Sequence, residues 1–147
     1  KIPELLVRSG RERIRAYSGD LSNEQIMDLW HIFPIEGIGL YVGKELMNRN
    51  GVREVRLSLD GMHTWKEQLT ERVVVLDEDQ EALWFAGDNI ELGDDVFEDE
   101  SGEVVSDGFV SVKAGIDFVG MGKVGSEGKL LINFLPKERR RKSQILN

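Results

Sequence analysis

The sequence predicts an α+β protein that consists of a small N-terminal α/β unit, residues 1–72, and a C-terminal β-rich unit, residues 73–147. Two observations predict this class. Helical and strand-like hydrophobic periods alternate in the first unit, whereas the second ends in short apolar runs separated by glycine, aspartate and asparagine. A chain of 147 residues is long enough for one domain or for two small units packed together.

The chain opens with a weakly patterned stretch, residues 1–10, which is either a strand or a short helix. Residues 11–17 alternate arginine with apolar residues, a pattern typical of a strand with an arginine face. Two interpretations of this face stay open: a basic stripe that contacts phosphate, or a neutral solvated surface, because Glu12 and Asp20 lie nearby. The arginines concerned are Arg8, Arg11, Arg13 and Arg15.

A helix is predicted next, because Ser22 and Gln25 have the spacing of a capping box and Pro34 ends the pattern. Its apolar residues recur at helical spacing and predict one buried stripe, with Trp30 fully packed. The stripe consists of Ile26, Leu29, Trp30 and Phe33.

The rest of the first unit is predicted as a buried strand over residues 35–42, a hairpin and a short helix. Residues 48–51 form the turn and residues 52–59 the returning strand. The helix spans residues 60–70, where Met62, Trp65 and Leu69 have helical spacing. The predicted order of the unit is therefore β-α-β-β-α.

The second unit opens with a predicted strand, residues 73–76, and a helix capped by Asp77 and Gln80 that stops at Gly87. Residues 94–107 are acidic with few apolar anchors, and are predicted to form a mobile loop or a hairpin tip. Three strands follow, and we expect them to be antiparallel. They cover residues 109–113, 118–124 and 129–135.

Charge is distributed in blocks, although the net charge is -8. Residues 1–72 carry 11 basic and 11 acidic side chains, residues 73–112 carry 13 acidic and no basic ones, and residues 113–147 carry 8 basic and 3 acidic ones. Phosphate affinity depends on the local patch, because salt screens charges over about 10 Å. The C-terminal segment is therefore a candidate nucleic-acid contact.

The residue types argue against several chemistries. The chain has no cysteine, which excludes disulfides, thiolate zinc sites and a cysteine nucleophile, and agrees with a cytoplasmic location. His31 and His63 are far apart in the sequence, and neither stands in a motif with other catalytic residues. The acidic block lacks the spacing of a calcium-binding loop. No apolar run has the length of a membrane span, and we expect no signal peptide. We expect no catalytic residue, metal or cofactor, and hence no enzyme.

The order of elements from residue 73 onward resembles the PUA domain, an RNA-binding module attached to RNA-modifying enzymes. That family has a small helix ending in a glycine-rich loop. Five residues stand in this pattern here, with Leu92 where the family has proline: Gly87, Asp88, Ile90, Gly93 and Val96. Residues 117–124 and 132–140 look like archaeal PUA-like proteins associated with RNA modification, including accessory parts of Sun-family RNA cytosine-5 methyltransferases.

This resemblance implies a PUA-like β-barrel that binds structured RNA, tRNA or rRNA, in RNA modification or ribosome maturation. It places the RNA-contacting loop at residues 87–93, and the basic C-terminal segment would contact phosphates. A solvated, frayed terminus stays open as the alternative for that segment. The expected RNA-binding residues are Gly87, Asp88, Gly93, Lys113, Lys123, Lys137, Arg139, Arg140, Arg141 and Lys142. The alternative function is an adaptor whose acidic loop docks on an RNA-modifying enzyme such as a methyltransferase.

Overall fold

The computed structural model describes residues 1–33 and 37–141. The chain is mixed α+β, as the sequence predicts, and divides into two compact units, Lys1–Trp65 and Lys66–Asn147, with one sheet in each. The boundary between residues 72 and 73 that the sequence indicates stays a prediction.

The N-terminal unit is an antiparallel four-stranded sheet with strand order β1-β2-β3-β4 and two helices. Its elements are β1 Leu5–Ser9, β2 Arg13–Tyr17, α1 Asn23–Ile32, β3 Leu40–Met47, β4 Arg53–Leu57 and α2 Leu59–Thr64. The observed order is β-β-α-β-β-α, because the opening stretch forms a strand that pairs with β2. The predicted order lacked this strand.

Helix α1 begins where the sequence predicts. The Ser22 hydroxyl accepts a hydrogen bond from the Gln25 amide at 3.2 Å, and the Gln25 side chain accepts one from the Ser22 amide at 2.9 Å. The predicted burial is wrong, because Trp30 is 45% exposed and Phe33 is 61% exposed, and only Ile26 is buried. Helical spacing marks the apolar side of α1, but of the residues on that side only Ile26 is fully buried in the fold.

The hairpin of the first unit is confirmed, since the Asn48 side chain accepts hydrogen bonds from the turn amides and β3 pairs with β4. The strand predicted over residues 35–42 is displaced: β3 begins at Leu40, which is exposed, and residues 35–36 lie outside the described residues. Helix α2 is shorter than predicted, because it ends at Thr64 and a 3₁₀ turn follows at Lys66–Gln68.

The C-terminal unit is a five-stranded sheet with strand order β5-β7-β8-β9-β6, and the three predicted final strands are all present. Strand β5 runs parallel to β7, and the other pairs are antiparallel. The elements are β5 Val73–Leu76, α3 Glu78–Ala86, β6 Ile90–Glu91, β7 Gly108–Ala114, β8 Asp117–Gly125 and β9 Leu130–Asn133.

Helix α3 and the sheet enclose the core of the C-terminal unit. Trp84 is fully buried there, and its indole N–H donates to the Val119 carbonyl at 3.2 Å. The acidic segment also contributes, because Phe97 and Val105 are buried in the same cluster. The segment has the form of a hairpin tip, one of the two predicted alternatives, because Glu98 and Val104 form an antiparallel bridge around the turn. Two apolar side chains, set among carboxylates, fix the segment to the core.

Candidate nucleic-acid interface

The candidate site is built around the C-terminal end of α3, which stops at Gly87 as predicted. Gly87 has a φ of +92°, and the Asp88 amide donates to the Leu83 carbonyl at 3.0 Å, as in a Schellman motif. A Cβ atom at Gly87 would lie 2.5 Å from the Arg140 Cδ atom. The backbone conformation therefore favours glycine, and a larger side chain here would displace the Arg140 side chain.

Asn133 at the end of β9 connects the sheet to this helix end. Its side-chain amide donates to the Trp84 carbonyl at 2.8 Å and to the Asp88 carbonyl at 3.0 Å, and its oxygen accepts from the Leu135 amide at 2.8 Å. Our sequence reasoning missed this residue. The available signal was an asparagine inside an apolar run, since asparagine is rare in strands unless its amide is needed.

The basic tail, residues 136–141, packs against the same helix end. The Arg141 amide donates to the Phe85 carbonyl at 2.7 Å, and the Arg141 guanidinium carbon lies 4.4 Å from the Phe85 ring centroid. The Arg140 Nε donates to the Leu135 carbonyl at 3.0 Å. Within the described residues this segment is therefore anchored to the second unit rather than frayed.

The side chains of the basic tail differ in accessibility. Lys137, Arg139 and Arg141 are exposed, whereas Arg140 is half-buried and already hydrogen-bonded to the protein. Cations beside a helix C-terminus also stabilise the helix dipole, so Arg140 has a structural role near α3. The segment therefore has three exposed cations and is joined to the end of α3 through Arg140 and Arg141, and Lys142 lies outside the described residues.

Lys113 and Lys123 are not part of this group. Side chains alternate between the faces of a strand, and Val112 and Val124 point into the core that contains Trp84, so both lysines lie on the opposite face of the sheet. Each ammonium lies over an aromatic ring: Lys113 is 4.9 Å from the Phe118 centroid and Lys123 is 5.3 Å from that of Phe109. Lys113 also pairs with Glu100 at 2.8 Å.

The loop that begins at Gly87 reaches Gly93, which is exposed with a φ of +45°. Asp88 is also exposed. Its backbone amide donates to the Leu83 carbonyl, and its backbone carbonyl accepts from the Asn133 side chain. The expected site residues thus do not form one cluster, and Gly93 lies at the far end of the loop from Gly87. Gly87, Asp88 and the basic tail lie together, while the two strand lysines lie across the sheet.

The acidic segment carries an ordered turn at Asp99. Its carboxylate accepts hydrogen bonds from the Ser101 hydroxyl and from the amides of Ser101 and Glu103. The hydrogen bond from the Ser101 side chain is the largest cause that lowers the Asp99 pKa below its ordinary value. Within residues 1–33 and 37–141 no three acidic or histidine side chains are grouped so that they could hold a metal ion.

Comparison with known proteins gives no relative: no protein-family model matches the chain, and no curated protein matches it. Among the described residues, no helix is long and apolar enough to cross a membrane. The interpretation of the site therefore depends on its own geometry.

Proposed function

We propose that the protein binds structured RNA, tRNA or rRNA, as an accessory factor in RNA modification or ribosome maturation, with a PUA-like barrel in its second unit. The observation that supports this most is the anchored basic tail. A backbone hydrogen bond from Arg141 to Phe85 and the close approach of Arg140 to Gly87 hold it at the end of α3, where its exposed cations would form one surface with the glycine loop.

The chemistry of this surface suits phosphate contact. The guanidinium groups of Arg139 and Arg141 present forked N–H donors that match phosphate oxygens, and Lys137 adds a point charge. Arg141 is already positioned by the Phe85 ring, which reduces the conformational entropy lost on binding. The adjacent loop would recognise RNA by shape, because a folded RNA is read mainly through its backbone and its unpaired bases.

The proposal assigns the covalent chemistry to a partner enzyme, such as an RNA methyltransferase, and assigns RNA recognition in the cytoplasm to this chain. The first test is to crosslink RNA to the protein in cells and to sequence it. Enrichment of tRNA or rRNA is the expected result. Recovery of RNA no greater than from a variant with Lys137, Arg139 and Arg141 changed to glutamine contradicts the proposal.

A second candidate function, an adaptor that docks on a basic enzyme, is favoured by the ordered acidic turn at Asp99. Neutralising the exposed Asp94, Asp95 and Glu103 separates the two functions. For an RNA-binding protein this variant keeps its affinity for tRNA or rRNA fragments and gains non-specific binding, since a repulsive block is removed. For an adaptor it loses the enzyme partner, and the glutamine variant of the basic tail changes little.

A further inference from the structure

A second charged site lies in the N-terminal unit, in an open cleft of about 210 Å³. The cleft is formed where β1 turns into β2 and where β3 and β4 run beside them. Three guanidinium groups line it, those of Arg8, Arg11 and Arg53, together with the carboxylates of Glu12 and Glu45.

Glu45 organises two of these arginines. Its side chain is only 18% exposed, and its two carboxylate oxygens pair with different partners: one with Arg8, and the other with Arg53 at 3.2 Å. A guanidinium carries five N–H donors, so each of these ion pairs leaves further donors for a ligand. The carboxylate thus fixes the side chains that line the cleft without exhausting their hydrogen-bonding capacity.

The ion pairs compensate the charge of the largely buried Glu45 carboxylate. Arg8 and Arg53 themselves stay 55% and 71% exposed, so their remaining donors are open to a ligand. Three positive and two negative side chains leave the lining of the cleft with a net charge of 3 − 2 = +1. A concave, net positive surface with forked donors is suited to an anion with several oxygens.

We infer that this cleft binds a phosphate group through Arg8, Arg11 and Arg53, with Glu45 as the residue that positions two of them. The phosphate belongs either to the backbone of a nucleic acid strand or to a free or terminal phosphate. The inference does not depend on the proposed RNA contact of the basic tail, because it concerns other residues in the other unit.

The test titrates the intact chain with inorganic phosphate at constant ionic strength and follows the arginine Nε–Hε signals by ¹H–¹⁵N NMR. Saturable shifts are expected for Arg8, Arg11 and Arg53. Arg53→Gln is expected to weaken phosphate binding about tenfold, the effect of losing one charged hydrogen bond. The control is Arg49→Gln, which removes the same charge from the exposed turn of the same hairpin and should leave the affinity unchanged.

A second titration uses an RNA oligonucleotide without terminal phosphates. Saturable shifts of the same three signals would identify the backbone phosphodiester as the ligand, whereas a response to inorganic phosphate alone would identify a free or terminal phosphate. Linear shifts without saturation in both titrations overturn the inference. Equal weakening by Arg53→Gln and Arg49→Gln also overturns it, because the effect would then be one of overall charge.

Discussion

The longest helices of the two units, α3 and α1, differ in how much of their apolar surface is buried. In the C-terminal unit, Trp84 is 0% exposed at the centre of a cluster to which α3, the sheet and the acidic segment all contribute. In the N-terminal unit, the corresponding helix α1 leaves Trp30 and Phe33 largely exposed and buries Ile26. Hydrophobic periodicity therefore shows which side of a helix is apolar. How much of that side is buried depends on how much of the rest of the unit packs against it.

The largest effect is expected in the C-terminal core. Trp84→Ala should lower the free energy of unfolding of that unit by about 3–5 kcal/mol, because it removes a fully buried indole and leaves a cavity. Urea unfolding followed through the NMR signals of β7 to β9 measures this loss. A loss below about 1 kcal/mol would show that α3 is not packed on the sheet as described.

A smaller but still large effect is expected at Asn133. Asn133→Leu removes the donors to the Trp84 and Asp88 carbonyls and the acceptor for the Leu135 amide, and should cost about 2–3 kcal/mol. The matched control is Asn50→Leu in the exposed hairpin turn, which should change stability by less than about 0.5 kcal/mol. Equal effects of the two substitutions would contradict the connecting role of Asn133.

The contrast between the tryptophans gives the third prediction. Trp30→Ala should cost about 1–2 kcal/mol, less than Trp84→Ala, because 45% of this side chain is already exposed. The unfolding of the N-terminal unit, followed through the signals of β1 to β4, is the measurement. A cost as large as that of Trp84→Ala would mean that the flank of α1 is covered in solution.

Local signals of the sequence predicted most of the fold. Features that depend only on residues close in sequence were predictable from local patterns. These are the capping boxes at Ser22 and Asp77, the helix stop at Gly87 and the asparagine turn of the first hairpin. Burial of Trp30 was mispredicted because it depends on what packs over α1, which periodicity does not contain. The anchoring of the acidic segment was also missed, since Phe97 and Val105 stand among carboxylates that dominate the local pattern.

The candidate site was predictable only in part. The basic run and the glycine loop are visible in the chain, but their proximity arises from a hydrogen bond between residues 85 and 141, which no local pattern contains. The placement of Lys113 and Lys123 on the other face required the register of β7 and β8. Asn133 was overlooked because its role is to satisfy carbonyls more than 40 residues away in sequence.

The smallest effect concerns pH. The lowered pKa of Asp99 means that its ionised form stabilises the turn at pH values above the ordinary pKa of 3.8, and that this contribution is lost as the pH falls through the folded-state pKa. Ser101→Ala removes the side-chain hydrogen bond that lowers the Asp99 pKa most, and should raise that pKa toward 3.8. Carboxyl NMR titration measures the shift, and an unchanged pKa in this variant would exclude Ser101 as the cause.

The salt dependence of RNA binding tests the central claim most directly. A variant with Lys137→Gln and Arg139→Gln removes two exposed cations of the basic tail and spares the half-buried Arg140. The control carries Arg49→Gln and Lys66→Gln, two exposed cations elsewhere in the chain. For a tRNA or rRNA fragment, the slope of log affinity against log salt should become shallower by about 1.4 to 1.8 in the first variant, for two lost phosphate contacts, and stay unchanged in the control. A slope in the first variant equal to that of the parent would contradict RNA contact by the basic tail.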